Sequence, residues 1–84
     1  MNKYFHAVVK DNRGGYRTIY FQGHSAKEAA EDFHSNMGAD IIGLDDAKLE
    51  DETDLYDYIA SVLDENYMTL IKMYAGPKPV HEIQ

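Results

Sequence analysis

The sequence predicts a small α+β domain, an antiparallel sheet with two helices packed mainly on one face, in the order β-β-α-β-α-β along the chain. Three observations predict it. Near the N-terminus, two stretches alternate apolar and polar residues with the two-residue period of a half-buried strand, and a glycine-containing loop joins them. The next stretch repeats apolar residues at helical spacing between a start signal and a stop signal. A second helical stripe and a final strand-like run follow, before a Gly-Pro-Lys-Pro segment.

Lys3 to Lys10 reads as the first strand, with Phe5, Ala7 and Val9 on one face and Tyr4, His6 and Val8 on the other. Asp11-Asn12-Arg13-Gly14-Gly15 is rich in residues that tolerate positive φ, so it predicts a five-residue hairpin loop. Tyr16 to Gln22 alternates again, placing Ile19 and Phe21 opposite Tyr16, Thr18 and Tyr20. The first helix starts at Ser25, where a capping box would have Glu28 reach back to the Ser25 N–H. Ala26, Ala29, Ala30, Phe33 and Met37 form its apolar stripe, and Gly38 stands where a left-handed residue ends a helix. Asp40-Ile41-Ile42-Gly43-Leu44 reads as a short third strand and Asp45 to Glu50 as a polar connection. The second helix begins near Asp51 or Thr53, buries Leu55, Ile59, Val62 and Leu63, and ends near Asn66. Tyr67 to Tyr74 is the last strand. Residues 1–75 then form one domain and 76–84 an extended tail, in which Val80 and Ile83 either pack or hang free.

A chain of 84 residues is one domain with one compact core. It has no cysteine, which removes disulfides, thiolate zinc sites and thiol nucleophiles and fits a reducing interior. No apolar run approaches the roughly 18 residues of a membrane span, and Met1-Asn2-Lys3 leads straight into the strand pattern without a signal-peptide shape. The expectation is a cytoplasmic protein that does not engage membranes.

Charge is distributed unevenly along the chain. Between residues 45 and 65, nine acids (Asp45, Asp46, Glu50, Asp51, Glu52, Asp54, Asp57, Asp64 and Glu65) stand against Lys48 alone, while the remainder has seven bases and six acids. The net charge of −7 therefore lies in one quarter of the sequence. Such a block argues against direct nucleic-acid binding through phosphates and for a basic partner surface, or else for a solvated face that keeps a small protein soluble. Along a helix from Asp51 to Glu65, at about 1.5 Å per residue, six acids span roughly 22 Å, near the charge spacing of one nucleic-acid strand. A nucleic-acid mimic is one reading of that density.

Catalytic motifs are missing. An EF-hand loop would need ligands and a glycine where Asp45-Asp46-Ala47-Lys48-Leu49-Glu50 has Ala, Lys and Leu, which leaves Asp45, Asp46 and Glu50 as carboxylates without a metal motif. His6, His24, His34 and His81 show no ligand spacing, and His24 and His34 read most simply as surface residues. Ser25 is taken by the cap, Ser35 and Ser61 have no evident base, and Gly14-Gly15 lacks the following helix of a phosphate loop. No enzyme, metal or cofactor is expected. Seven tyrosines are the other deviation: Tyr4, Tyr16 and Tyr20, with His6 among them, share the sheet face that the first helix does not cover. Either the second helix or the tail covers that face, or it is a contact patch or a homodimer surface.

The run Tyr4-Phe5-His6-Ala7-Val8-Val9 to Asp11, then Gly14-Gly15-Tyr16, then Ser25-Ala26-Lys27-Glu28-Ala29-Ala30, resembles the start of HicB-type antitoxin domains, which neutralise a small RNase toxin. It departs from them in having Gly23-His24 in place of a Pro-and-Gly-rich segment, and no helix-turn-helix follows. As a short, acidic, cysteine-free, Tyr-rich chain, it is also similar in profile to small phage-encoded inhibitors such as anti-CRISPR proteins. That profile implies a rigid module whose acids engage the basic nucleic-acid-binding surface of a nuclease or similar complex, in the host cytoplasm if phage-encoded. The leading expectation is thus an acidic protein-binding inhibitor acting through residues 45–65. The alternative is an antitoxin-like or homodimeric module using Tyr4, Tyr16 and Tyr20.

Overall fold

A computed structural model describes residues 2–38, 41–43 and 47–76. Its order is β1 (Lys3–Lys10), β2 (Tyr16–Gly23), α1 (Ala26–Met37), α2 (Glu52–Glu65) and β3 (Thr69–Gly76). The α+β class is as expected, with the order β-β-α-α-β. The three strands form one antiparallel sheet, β2-β1-β3, so the first strand is central. Both helices lie on the face that carries Phe5, Ala7, Val9, Ile19 and Phe21, and all five are buried with Ala29, Ala30 and Phe33 of α1 and Leu55, Tyr58, Ile59, Val62 and Leu63 of α2. Phe21 joins the layers, stacking on Phe5 and meeting Phe33 edge-on, each at a centroid separation of 5.4 Å.

The hairpin loop is closed by Asp11, whose Oδ1 accepts from the Gly15 N–H at 2.8 Å and the Arg13 N–H at 2.9 Å. These two bonds, Gly15 first, hold its carboxyl below the usual carboxylate range. Ser25 caps α1 by accepting the Glu28 N–H at 3.2 Å. Glu28 reaches back one residue further than a standard capping box, to the His24 N–H at 3.0 Å, because Gly23 brings β2 hard against the start of the helix. A Cβ on Gly23 would collide with the Ala29 nitrogen. Gly38 has φ 101°, positive as a helix stop requires, but ψ 163° takes it outside the left-handed helical region.

The expected third strand does not form where it is described: Ile41–Gly43 belong to no strand, and Asp40 and Leu44 lie outside the described residues. Asn66 is the physical reason. Its side-chain oxygen accepts the Ile42 N–H at 3.0 Å, and its amide nitrogen donates to the Ile42 carbonyl at 2.8 Å and the Val62 carbonyl at 2.6 Å. The backbone groups that a strand would use are taken by the cap of α2.

The second helix begins as expected, with Asp51 as cap accepting the Asp54 N–H at 2.9 Å. Its end is a Schellman motif in which the Met68 N–H bonds the Leu63 carbonyl and the Tyr67 N–H the Asp64 carbonyl. Tyr67, at φ 61°, takes the left-handed position usually held by glycine. The last strand therefore starts two residues later than expected, after the turn, and runs to Gly76; the rest of the expected tail lies outside the described residues.

Candidate functional site

Neither helix covers the second face of the sheet. Directly paired residues on antiparallel strands share a face. The register places Tyr20, His6 and Tyr74 in one row across all three strands, with Thr18, Val8 and Lys72 in the next. The His6 ring lies 4.9 Å from that of Tyr20 and 5.0 Å from that of Tyr74, centroid to centroid. Tyr20 and Tyr74 stay about half exposed, at 49% and 45%. Between them the His6 Nε2 is buried without a hydrogen-bond partner, the sole such side-chain nitrogen or oxygen among the described residues.

One lysine, Lys72, stands in the row next to it, and a second, Lys10, lies two rows away beside Tyr16. Lys10 Nζ stands 5.8 Å from the Tyr16 ring centroid and Lys72 Nζ 5.6 Å from that of Tyr74. Among the described residues, no aspartate or glutamate shares this face, from Tyr4, His6, Val8 and Lys10 outward to Tyr16, Thr18, Tyr20 and Gln22 on one side and Thr69, Lys72 and Tyr74 on the other.

The three sequence-selected tyrosines do share the face, but they are spread along it. Tyr16 pairs with Lys10 at one end, Tyr20 is central, and Tyr4, half-buried, pairs with Gln22 and Gly76 towards the other end. Sequence reasoning missed Tyr74 and Lys72. Val8 pairs with Lys72 but Val9 with Leu70, so Ile71 is the extra residue of a β-bulge. Simple alternation from Leu70, which packs on the core, would turn Lys72 and Tyr74 inward as well; the bulge instead sends Met73 to the core side and Tyr74 to the open face. The signal was present in Leu70-Ile71-Lys72-Met73, where the apolar period breaks.

The acidic candidates do not converge. Asp45 and Asp46 lie outside the described residues. Asp51 caps α2, Asp54 accepts the Glu50 N–H at 2.9 Å, and Glu52 makes an exposed ion pair with Lys3 at 3.9 Å. Glu50, Asp57, Asp64 and Glu65 are exposed, and Asp57 and Asp64 stand two turns apart on the outer side of α2. Among the described residues, no group of three or more His, Asp or Glu side chains is placed to hold a metal ion, and no helix is long and apolar enough to cross a membrane.

His34 departs from its expected surface position. It is half-buried, its Nε2 is 2.5 Å from the Tyr58 hydroxyl, and its ring fills the space where a Gly43 side chain would be. The pair sits in a groove of about 320 Å³ between the helices, with Lys27, Glu31 and Leu49. Its geometry ties α1 to α2 and to the Ile41–Gly43 segment, a role in packing.

The chain matches no protein-family model, no curated protein and no solved structure.

Proposed function

We propose that this protein is a stoichiometric binding module that engages a macromolecular target through the open face of its sheet. One observation carries the reading: the Tyr20–His6–Tyr74 row, its two tyrosines half-exposed, with Lys72 beside Tyr74, Lys10 beside Tyr16 on the same face, and no carboxylate among the described residues of that face. Tyrosine supplies apolar area and a polar tip at little entropic cost, which suits contact surfaces. A second reading keeps the acids as the contact, with α2 occupying a basic nucleic-acid-binding surface of another protein as an inhibitor. It rests on Asp57 and Asp64, both exposed and about 10 Å apart along the helix.

One capture experiment separates the two. The immobilised chain, its Tyr20→Ala/Tyr74→Ala variant and its Asp57→Asn/Asp64→Asn variant are exposed to the same cell extract, and retained protein and nucleic acid are both quantified. Loss of retention with the tyrosine changes, and retention unchanged with the aspartate changes, supports the sheet face. The reverse pattern supports the acidic helix and rejects the sheet face.

A further inference from the structure

Resting on the sheet-face reading above, we infer that the ligand of that face is single-stranded nucleic acid, whose bases stack on the Tyr20–His6–Tyr74 row while Lys10 and Lys72 meet its phosphates. Counted along the chain, charge opposes such a ligand. Counted in space among the described residues, it does not. Every described acid except Asp11 lies on a helix or on the Glu50-Asp51 lead into α2, in the layer behind the sheet. A helix layer lies roughly 10 Å from the sheet it covers, and the screening length at physiological salt is about 8 Å. A ligand on the open face therefore meets Lys10 and Lys72 directly and the helical acids only through screening.

Area and shape select a narrow ligand. Three strands about 4.8 Å apart and eight residues long at about 3.4 Å each offer a face of roughly 14 by 27 Å. Covering the whole of it takes a partner with a matching flat surface. An extended strand needs far less, because each base brings its own ring to an aromatic side chain. Tyr20 and Tyr74, on either side of His6 with rings turned 70° and 39° from its plane, offer two half-exposed rings, enough for about two bases. The unpartnered His6 Nε2, buried between the two tyrosines, is a hydrogen-bonding group that a base edge can satisfy once a flanking tyrosine ring turns aside.

The test is fluorescence anisotropy with labelled oligo-dT and oligo-U of about 12 nucleotides, within the site size of single-strand binders, titrated with the intact chain between about 50 and 200 mM salt. Binding is expected, with a log–log salt slope of about −1.4 for two phosphate contacts, falling to about −0.7 in Lys72→Gln. Tyr20→Ala and Tyr74→Ala are each expected to weaken it roughly 5- to 100-fold. Tyr20→Leu and Tyr74→Leu, which keep apolar bulk but lose the flat ring, should weaken it too. No binding by the unaltered chain, equal affinity for a duplex of the same sequence, or full affinity in the leucine variants overturns the inference. If oligonucleotides fail to bind while the capture experiment still retains a protein, or a second copy of the chain, through Tyr20 and Tyr74, the sheet-face reading stands and the nucleic-acid assignment falls.

Discussion

Tyr67 holds a backbone conformation that L side chains avoid, at a cost of about 1–2 kcal/mol, and its side chain is 82% exposed, so little packing compensates. Glycine removes that cost and adds some unfolded-state entropy. Tyr67→Gly is expected to stabilise the fold by about 0.5–1 kcal/mol and raise Tm by roughly 2–8 °C, whereas Tyr67→Val should lower it; thermal denaturation by circular dichroism reads both. Asp11 gives a prediction in pH. Because its hydrogen bonds to Gly15 and Arg13 keep the folded carboxyl ionised to lower pH than in the unfolded chain, its contribution is complete above about pH 4 and is lost as pH falls through the lower folded value. Asp11→Ala should therefore lower Tm at pH 7 and lower it less as pH falls below about 4. An effect that does not diminish with acid would remove the ionised carboxyl from the account of the loop.

At the scale of elements, α1 is positioned by a glycine it does not contain. Gly23 closes β2 where the backbone of Ala29 arrives, and an added methyl group has nowhere to go unless the helix moves. Gly23→Ala is expected to cost about 1–3 kcal/mol, the range for overpacking, measured by urea denaturation. A change within ±0.5 kcal/mol would mean that the helix yields freely. The helix also guards the β2 edge: Asp32 accepts the Gln22 N–H at 2.8 Å and Asn36 donates to the Tyr20 carbonyl at 2.6 Å. Tyr20 is thus held at its backbone from behind while its ring faces outward. Its place on the face was legible from alternation in β2. The place of Tyr74 was not, because one bulged residue reverses the alternation of β3, and a bulge is fixed by pairing with another strand.

Across the molecule's described residues, charge is sorted by layer, with acids on the helices and Lys72 and Lys10 beside Tyr74 and Tyr16 on the sheet face that neither helix covers. A carboxylate placed on that face should oppose an anionic or aromatic-stacking ligand without disturbing the core. Thr18→Glu, at an exposed position paired with Val8, is expected to leave Tm within a few degrees and to abolish retention in the capture experiment. Retention equal to that of the unaltered chain would place the contact elsewhere.

The sequence by itself determined the class of fold, the hairpin with its loop, both helices with the Ser25 cap of the first, and the buried sets Phe5-Ala7-Val9, Ile19-Phe21 and Leu55-Ile59-Val62-Leu63, because period, caps and turn residues act over a few neighbours. The tertiary structure alone decided three things. Asn66, at the end of one helix, takes the backbone of Ile42 and so removes a strand. The bulge at Ile71 turns Tyr74 outward to join His6 and Tyr20. The described acids of the 45–65 stretch lie on α2 and the residues leading into it, behind the sheet, while the described residues of the other face carry lysines and tyrosines and no carboxylate. Each depends on which distant residues are paired, and pairing between residues far apart in the chain leaves no local period to read.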